Sequence, residues 1–200
     1  LQKACEELPK KQGEAITNLV KEAFFEIGMA EAKEASFKGN WDLDPEEYLD
    51  IIRKKAAIAD VTARIGVIIG GGSSDEIKAL GKYGRTLGIL ATIRDDYIDV
   101  FEPDELKNRA KNECLPLPVL YAFRDQKVKK EITNLLGKQE LTEEDSFNIV
   151  EIMMKGEGTK VLKRKMRLLL EEGCESVRLI ESQTITDTLR TMIRALMEGL

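Results

Sequence analysis

Hydrophobic residues recur along this chain at intervals of three and four, and no stretch sustains a two-residue alternation, so the pattern predicts helices throughout. The spacing predicts a first helix over about residues 12–37. A second is predicted from Asp44-Pro45, with Asp as N-cap and Pro as first helical residue, through to the glycines at 70–72. A third starts at Ser73 or Ser74 and runs to about Phe101, ahead of Pro103. Pro116 and Pro118 interrupt a shorter helix ending near Phe123, and amphipathic helices follow over about 125–137, 142–155, 159–172 and 174–198. No linker, repeat or low-complexity tract divides the chain, so residues 1–200 are expected to form a single all-α domain, a compact bundle.

The third helix carries the densest candidate chemistry, Arg94-Asp95-Asp96-Tyr97-Ile98-Asp99. With Asp95 at zero on a wheel of about 100° per residue, Asp99 falls near 40°, and Gly84, Gly88 and Ala91 fall within about 40° of zero. The two carboxylates therefore continue a stripe of small residues, which permits close helix packing or leaves room for a ligand. Leu80, Leu87, Leu90, Ile93 and Phe101 occupy other sectors, so the helix is expected to be central, with Asp95 and Asp99 facing the interior. Buried carboxylates are costly without a partner, and two of them one turn apart suggest a cation shared with an anionic ligand. Mg²⁺ suits such a site, because it takes one or two carboxylates, waters and substrate phosphates. The alternative is a solvated acidic patch on an exposed helix.

On the second predicted helix, Lys55 lies amid Tyr48, Ile51, Ile52, Ile58, Ala59, Thr62 and Gly66, with Arg53, Asp60 and Arg64 on the far side. A lysine in an apolar face pairs with an anion or snorkels to water, so Lys55 is a candidate phosphate contact or half of a structural ion pair.

Composition narrows the chemistry further. The 31 basic and 36 acidic residues leave a net charge of −5 with no basic block, which argues against nucleic acid as a partner. There is no histidine, so imidazole bases and metal ligands are excluded. Cys5, Cys114 and Cys174 are too few and too scattered for a zinc site or a disulfide framework, and a reducing cytoplasm is the expected compartment. No apolar run reaches the roughly 20 residues of a transmembrane helix. Gly70-Gly71-Gly72 does not match a dinucleotide fingerprint, and Gly81-Lys82 lacks the remainder of a P-loop. Lys160, Lys163, Arg164, Lys165 and Arg167 alternate with apolar and acidic neighbours and read as a solvated face.

Taken together, these residues resemble the class I trans-isoprenyl diphosphate synthases, or polyprenyl synthetases. Leu87-Gly88 followed by Asp95-Asp96-Tyr97-Ile98-Asp99-Val100 is similar to that family's second aspartate-rich motif. Glu47-Tyr48-Leu49 through Ile52, Lys55 and Ala56 resembles an upstream helix carrying a Lys-Thr pair, and Leu117-Pro118-Val119-Leu120 a segment after the aspartates. The resemblance implies an isoprenoid synthase-type helical bundle around a central cavity, here lacking the N-terminal helices. It implies a prenyltransferase that joins isopentenyl diphosphate to an allylic diphosphate with Mg²⁺, as a homodimer or with another synthase subunit. Carried over by position, Asp95, Asp96 and Asp99 would hold Mg²⁺, Lys55 would contact the diphosphate and act in catalysis, and Lys107 is a weaker match to a second diphosphate-binding lysine.

The departures from the family pattern bear on activity. The first aspartate-rich motif has no counterpart in these 200 residues, Ala91-Thr92 replaces Phe-Gln, Ala56 replaces Thr, and Glu113-Cys114-Leu115-Pro116 replaces Gly-Lys-x-Thr. The expectation is a truncated chain, inactive alone, from a longer prenyltransferase. The alternatives are a non-catalytic regulatory subunit and a plain helical interaction domain.

Overall fold

A computed structural model describes residues 3, 5 and 7–199. Among them the regular elements are α1 (Lys10–Ser36), α2 (Pro45–Lys55), α3 (Ala57–Ile69), α4 (Ser74–Asp99), α5 (Pro103–Asn112), α6 (Leu117–Ala122), α7 (Gln126–Leu136), α8 (Glu143–Lys155), α9 (Glu157–Ser176), a 3₁₀ turn (Val177–Leu179) and α10 (Gln183–Ala195). The helix starts follow their caps. Asp44 Oδ1 accepts from the Glu46 N–H at 2.9 Å ahead of Pro45, while Ser73 and Glu76 bond reciprocally to each other's backbone N–H at 3.2 and 2.7 Å. No helix among the described residues is long and apolar enough to cross a membrane.

The helices differ from the sequence expectation in two regions, at Ala56 and from Gly173 onward, where the last helix starts at Gln183 instead of about residue 174. The predicted second helix is broken at Ala56 into α2 and α3. There the Ala56 carbonyl accepts from Ala59 N–H at 3.1 Å, a tightened turn, and the Arg53 carbonyl accepts from Arg85 Nη1 at 3.1 Å. The predicted break at Gly173 is absent, and α9 runs on to Ser176 before the 3₁₀ turn. Gly173 serves packing instead, since a Cβ there would lie 2.4 Å from Ile193 Cδ1.

The chain groups into two compact units. The first comprises Leu1–Glu31, Ile52–Leu90 and Leu169–Leu200, and the second Ala32–Ile51 and Ala91–Leu168. In the first, Ile16, Ile52, Ala57, Ile68, Tyr83 and Ile193 are buried, and α3 and α4 pack through small residues. Cβ atoms placed on Gly84 and Gly88 would stand 2.4 Å from the Ala59 carbonyl oxygen and 3.0 Å from Ala59 Cβ. Over Gly84 and Gly88 the small-residue stripe is therefore a close-packing surface. A charged network lies beside it. Asp60, 5% exposed, pairs with Arg64 and with Arg85 Nη2 at 2.9 Å, and Arg85 Nη1 pairs with Glu26 at 2.6 Å.

In the second unit every residue of α6 is buried, as expected of a helix that is apolar all round. Trp41 Nε1 donates to the Ala110 carbonyl at 2.8 Å, and Gly39 N–H to the Glu113 carbonyl at 2.9 Å, tying the segment before α2 to the end of α5. A capping box opens α8: Thr142 Oγ1 accepts from Asp145 N–H at 3.2 Å, and Asp145 Oδ2 accepts from Thr142 N–H at 3.1 Å. Lys138 Nζ adds an ion pair to Asp145 at 2.6 Å.

Two expected outcomes follow from this packing. Gly84→Ala should lower stability by about 1–3 kcal/mol through overpacking, whereas Gly66→Ala, where a Cβ meets nothing within 4 Å, should raise it by about 0.5–1 kcal/mol; urea unfolding gives both signs. Lys138 and the Thr142 N–H hold the Asp145 carboxyl below its ordinary value of 3.8. Its stabilisation is therefore present above that value and lost as the pH falls through its depressed folded value. Melting curves from about pH 6 down to about pH 2 should show Asp145→Asn losing less stability on acidification than the parent chain.

Candidate functional site

The acidic motif occupies the last turn and a half of α4, within the second unit. Its three carboxylates face three environments. Asp95 is exposed, Asp96 is 2% exposed, and the Asp99 side chain is 23% exposed. This corrects the expectation of an interior Asp95, because the buried member is Asp96. The small-residue stripe used to set the wheel packs on α3 at Gly84 and Gly88, in the first unit, and the acidic motif follows it in the second.

Asp96 is held at both oxygens. Oδ1 accepts from Arg109 Nη2 at 3.1 Å and Oδ2 from the Leu117 backbone N–H at 2.8 Å. Arg109, itself 7% exposed, reaches from α5 with its whole fork in use. Nη1 bonds Asp99 Oδ2 at 2.5 Å, Nη2 also donates to the Tyr48 hydroxyl at 2.8 Å, and Nε donates to the Cys114 carbonyl at 2.8 Å. Glu113 adds a carboxylate 3.5 Å from Nε.

Burial pushes the Asp96 carboxyl up to about 6, against the opposing pull of Arg109 and the Leu117 N–H. Asp99 is raised as well, by burial and by the neighbouring Asp95 charge, with Arg109 opposing. Burial works to lower Arg109, but Asp96, Tyr48 and Asp99 outweigh it and keep the guanidinium charged. The Tyr48 hydroxyl is pushed up by burial and by Asp96, so it stays protonated. The Tyr97 hydroxyl is buried without a hydrogen-bond partner among the described residues.

Lys55 ends α2 in the first unit, where its side chain is 33% exposed and its Nζ lies 3.1 Å from Glu31. The face assigned to it from sequence is interrupted by the break at Ala56. Ile58, assigned to the apolar side, is 65% exposed, and Asp60, assigned to the far side, is buried on Arg64 and Arg85. Lys107, in α5, donates to the Leu136 carbonyl at 2.6 Å and to the Lys138 carbonyl, so in this structure it closes the end of α7. Burial lowers its ammonium pKa, with Lys111 contributing. The structure thus brings Asp96 and Asp99 together on one guanidinium, with Asp95 one turn from Asp99.

Sequence reasoning missed Arg109. A usable signal was present: Leu106, Arg109 and Ala110 form the buried face of the ten-residue α5, the same cation-on-an-apolar-face pattern that singled out Lys55.

The donor set can be tested against a hard divalent ion. Asp95 and the Asp99 oxygen not bonded to Arg109 lie one turn apart on an accessible helix end, which fits an ion that needs one or two carboxylates and takes its other oxygens from water or phosphate. Asp96, with both oxygens engaged, does not fit as a ligand. Among the described residues no group of three carboxylates or thiols is arranged to enclose a metal on its own.

Three comparisons with known proteins bear on the family and the fold. A polyprenyl synthetase family profile matches residues 1–153. The chain is 30% identical over 155 residues to the geranylgeranyl diphosphate synthase of Methanosarcina mazei, covering 70% of this chain and 47% of that protein. It is 27% identical over 161 residues to the geranylfarnesyl diphosphate synthase of Aeropyrum pernix, covering 78% of this chain and 50% of that one. The crystal structure of the Pyrococcus horikoshii geranylgeranyl pyrophosphate synthetase superposes with a TM-score of 0.81 at 21% identity, covering 97% of this chain and 61% of the other. That likeness shows the all-α isoprenoid synthase fold. The chain spans about half the length of the two sequence relatives.

Because it leaves a buried guanidinium without its main partner, Asp96→Ala should cost about 3–5 kcal/mol, whereas exposed Asp95→Ala should stay within about 0.5 kcal/mol. Denaturant unfolding of the two variants checks this, and equal losses would remove the structural role assigned to Asp96.

Proposed function

This chain belongs to the polyprenyl synthetase family, and on that premise we propose that it forms the diphosphate-binding part of a prenyltransferase joining isopentenyl diphosphate to an allylic diphosphate. The observation that carries the reading is the separation of roles within Asp95-Asp96-Asp99: one carboxylate is buried and structural, and two are accessible one turn apart.

Breaking an allylic C–O bond leaves a carbocation and a diphosphate of high negative charge, and the site must favour the departing anion and keep water from the cation. When bound, Mg²⁺ would supply the positive charge that draws the electron pair onto the leaving oxygen. In this chain Asp95 and Asp99 would hold it. Arg109 holds Asp99 through Oδ2, and the Asp99 side chain stays 23% exposed. Lys55, partly exposed and held by Glu31, is the candidate diphosphate contact, exchanging a carboxylate for a phosphate oxygen. Lys107 could serve only after leaving the two carbonyls it now bonds. No step requires imidazole, in keeping with a chain without histidine.

A second copy or another synthase subunit is the proposed partner, supported by the exposed apolar Phe24, Phe25 and Met29 on α1. The three free cysteines are consistent with a reducing, cytoplasmic setting.

The test is a thermal melt with Mg²⁺, with inorganic diphosphate or geranyl diphosphate, and with metal and diphosphate together. The melting temperature should rise only with both, as linkage requires of a ligand joined to the native chain through metal. Asp99→Ala should abolish the rise and Lys55→Ala should weaken it, while Glu171→Ala, an exposed change on α9, leaves it intact. No shift in the parent chain would overturn the reading in favour of a non-catalytic subunit.

A further inference from the structure

Arg109 occupies a place that polarity alone does not require. A neutral donor could satisfy Asp96 Oδ1, yet the residue there is a guanidinium lying against two carboxylates of the motif and 3.5 Å from Glu113, a third. Three aspartates within five residues carry a charge of −3, which by itself would attract a divalent ion strongly. Arg109 cancels one of those charges, engages Asp96 completely with the help of the Leu117 N–H, and takes one oxygen of Asp99. Its fork is fixed from behind by the Cys114 carbonyl and the Tyr48 hydroxyl, so it cannot swing away without giving up buried hydrogen bonds.

What remains for a metal is Asp95 and one oxygen of Asp99, a poor donor set for a reluctantly dehydrated ion unless a diphosphate supplies further oxygens. We propose that Arg109 is a built-in counter-cation of the acidic motif, a positioning residue that withdraws Asp96 from metal binding and makes capture of a divalent ion depend on a diphosphate arriving with it. The inference deepens the prenyltransferase reading and rests on it for the identity of the anion. It concerns the metal preference of the motif, so it can be tested with Mg²⁺ alone.

The experiment is isothermal titration of the full chain and of Arg109→Gln with Mg²⁺ alone, then with Mg²⁺ in the presence of inorganic diphosphate. Loss of the guanidinium restores the full charge of the motif and frees the second oxygen of Asp99, so Arg109→Gln should bind Mg²⁺ alone about tenfold more tightly than the parent. Arg109→Lys, which keeps the charge but cannot hold both carboxylates, should fall between the parent and Arg109→Gln. A purely structural arginine would leave the affinity of a folded variant unchanged or lower it, and that result overturns the proposal. Asp96→Asn keeps an acceptor for the Leu117 N–H and decides the matter if Arg109→Gln does not fold: it should still bind Mg²⁺ when diphosphate is present, weakened only by the lost charge, whereas a folded variant that binds no Mg²⁺ even with diphosphate makes Asp96 a ligand and overturns the proposal. A parent chain that binds no diphosphate would sink the functional reading, yet the Mg²⁺-alone comparison of the parent with Arg109→Gln would still decide the role of Arg109.

Discussion

The second unit depends on one buried ion pair. Taking a guanidinium and a carboxylate out of water costs several kcal/mol per ion, and their attraction offsets that only when the remaining polar atoms also find partners. Here they do. The Asp96 oxygens are met by Arg109 and the Leu117 N–H, while the fork of Arg109 is met by Asp96, Asp99, Tyr48 and the Cys114 carbonyl. These contacts draw on α2, α4, α5 and the segment leading into α6. A lysine could not replace this arginine, since an ammonium has no planar fork with which to hold two carboxylates, a hydroxyl and a carbonyl at fixed angles.

The first unit uses similar chemistry for a different geometric purpose. Asp60 is buried against Arg64 and Arg85, and Arg85 extends past it to Glu26 and to the Arg53 carbonyl at the end of α2. A cation directed at a carbonyl in the last turn of a helix favours termination there. The glycine face of α4 then lets α3 approach closely enough for its alanines to pack without side-chain bulk between them. Lys55 is the last residue before that break, and its ammonium pairs with Glu31 at 3.1 Å.

Most of the helical architecture was legible because its signals are local. Asp44-Pro45, the Ser73–Glu76 pair and Thr142–Asp145 mark helix starts through bonds made within four residues. What escaped the sequence was long-range. Ala56 is a strong helix former, and nothing nearby announces a break whose cause includes Arg85, a residue of α4. Once that break is missed, the wheel rotates out of phase, which is why Asp60 and Ile58 exchanged sides. Gly173 is the converse case, since a residue that ends many helices here removes a clash with Ile193 inside one. Asp95, Asp96 and Asp99 were found as a motif by type and spacing, but which of them is buried depends on α5, whose contribution is read only by noticing Arg109 beside Leu106 and Ala110.

Helix geometry gives this division of the motif a general reason. Adjacent residues on an α-helix point about 100° apart, whereas residues four apart point within about 40° of each other. In Asp95-Asp96-x-x-Asp99 the first and last carboxylates can therefore address one ligand, while the middle one addresses a different side of the helix. If that side meets the core, the middle carboxylate needs an internal cation, and a guanidinium long enough to reach it will also approach the last aspartate of the motif. Arg109 does both. The same guanidinium that satisfies the buried carboxylate also bonds the accessible one, so the stability of this unit and the metal preference proposed for the motif rest on one residue.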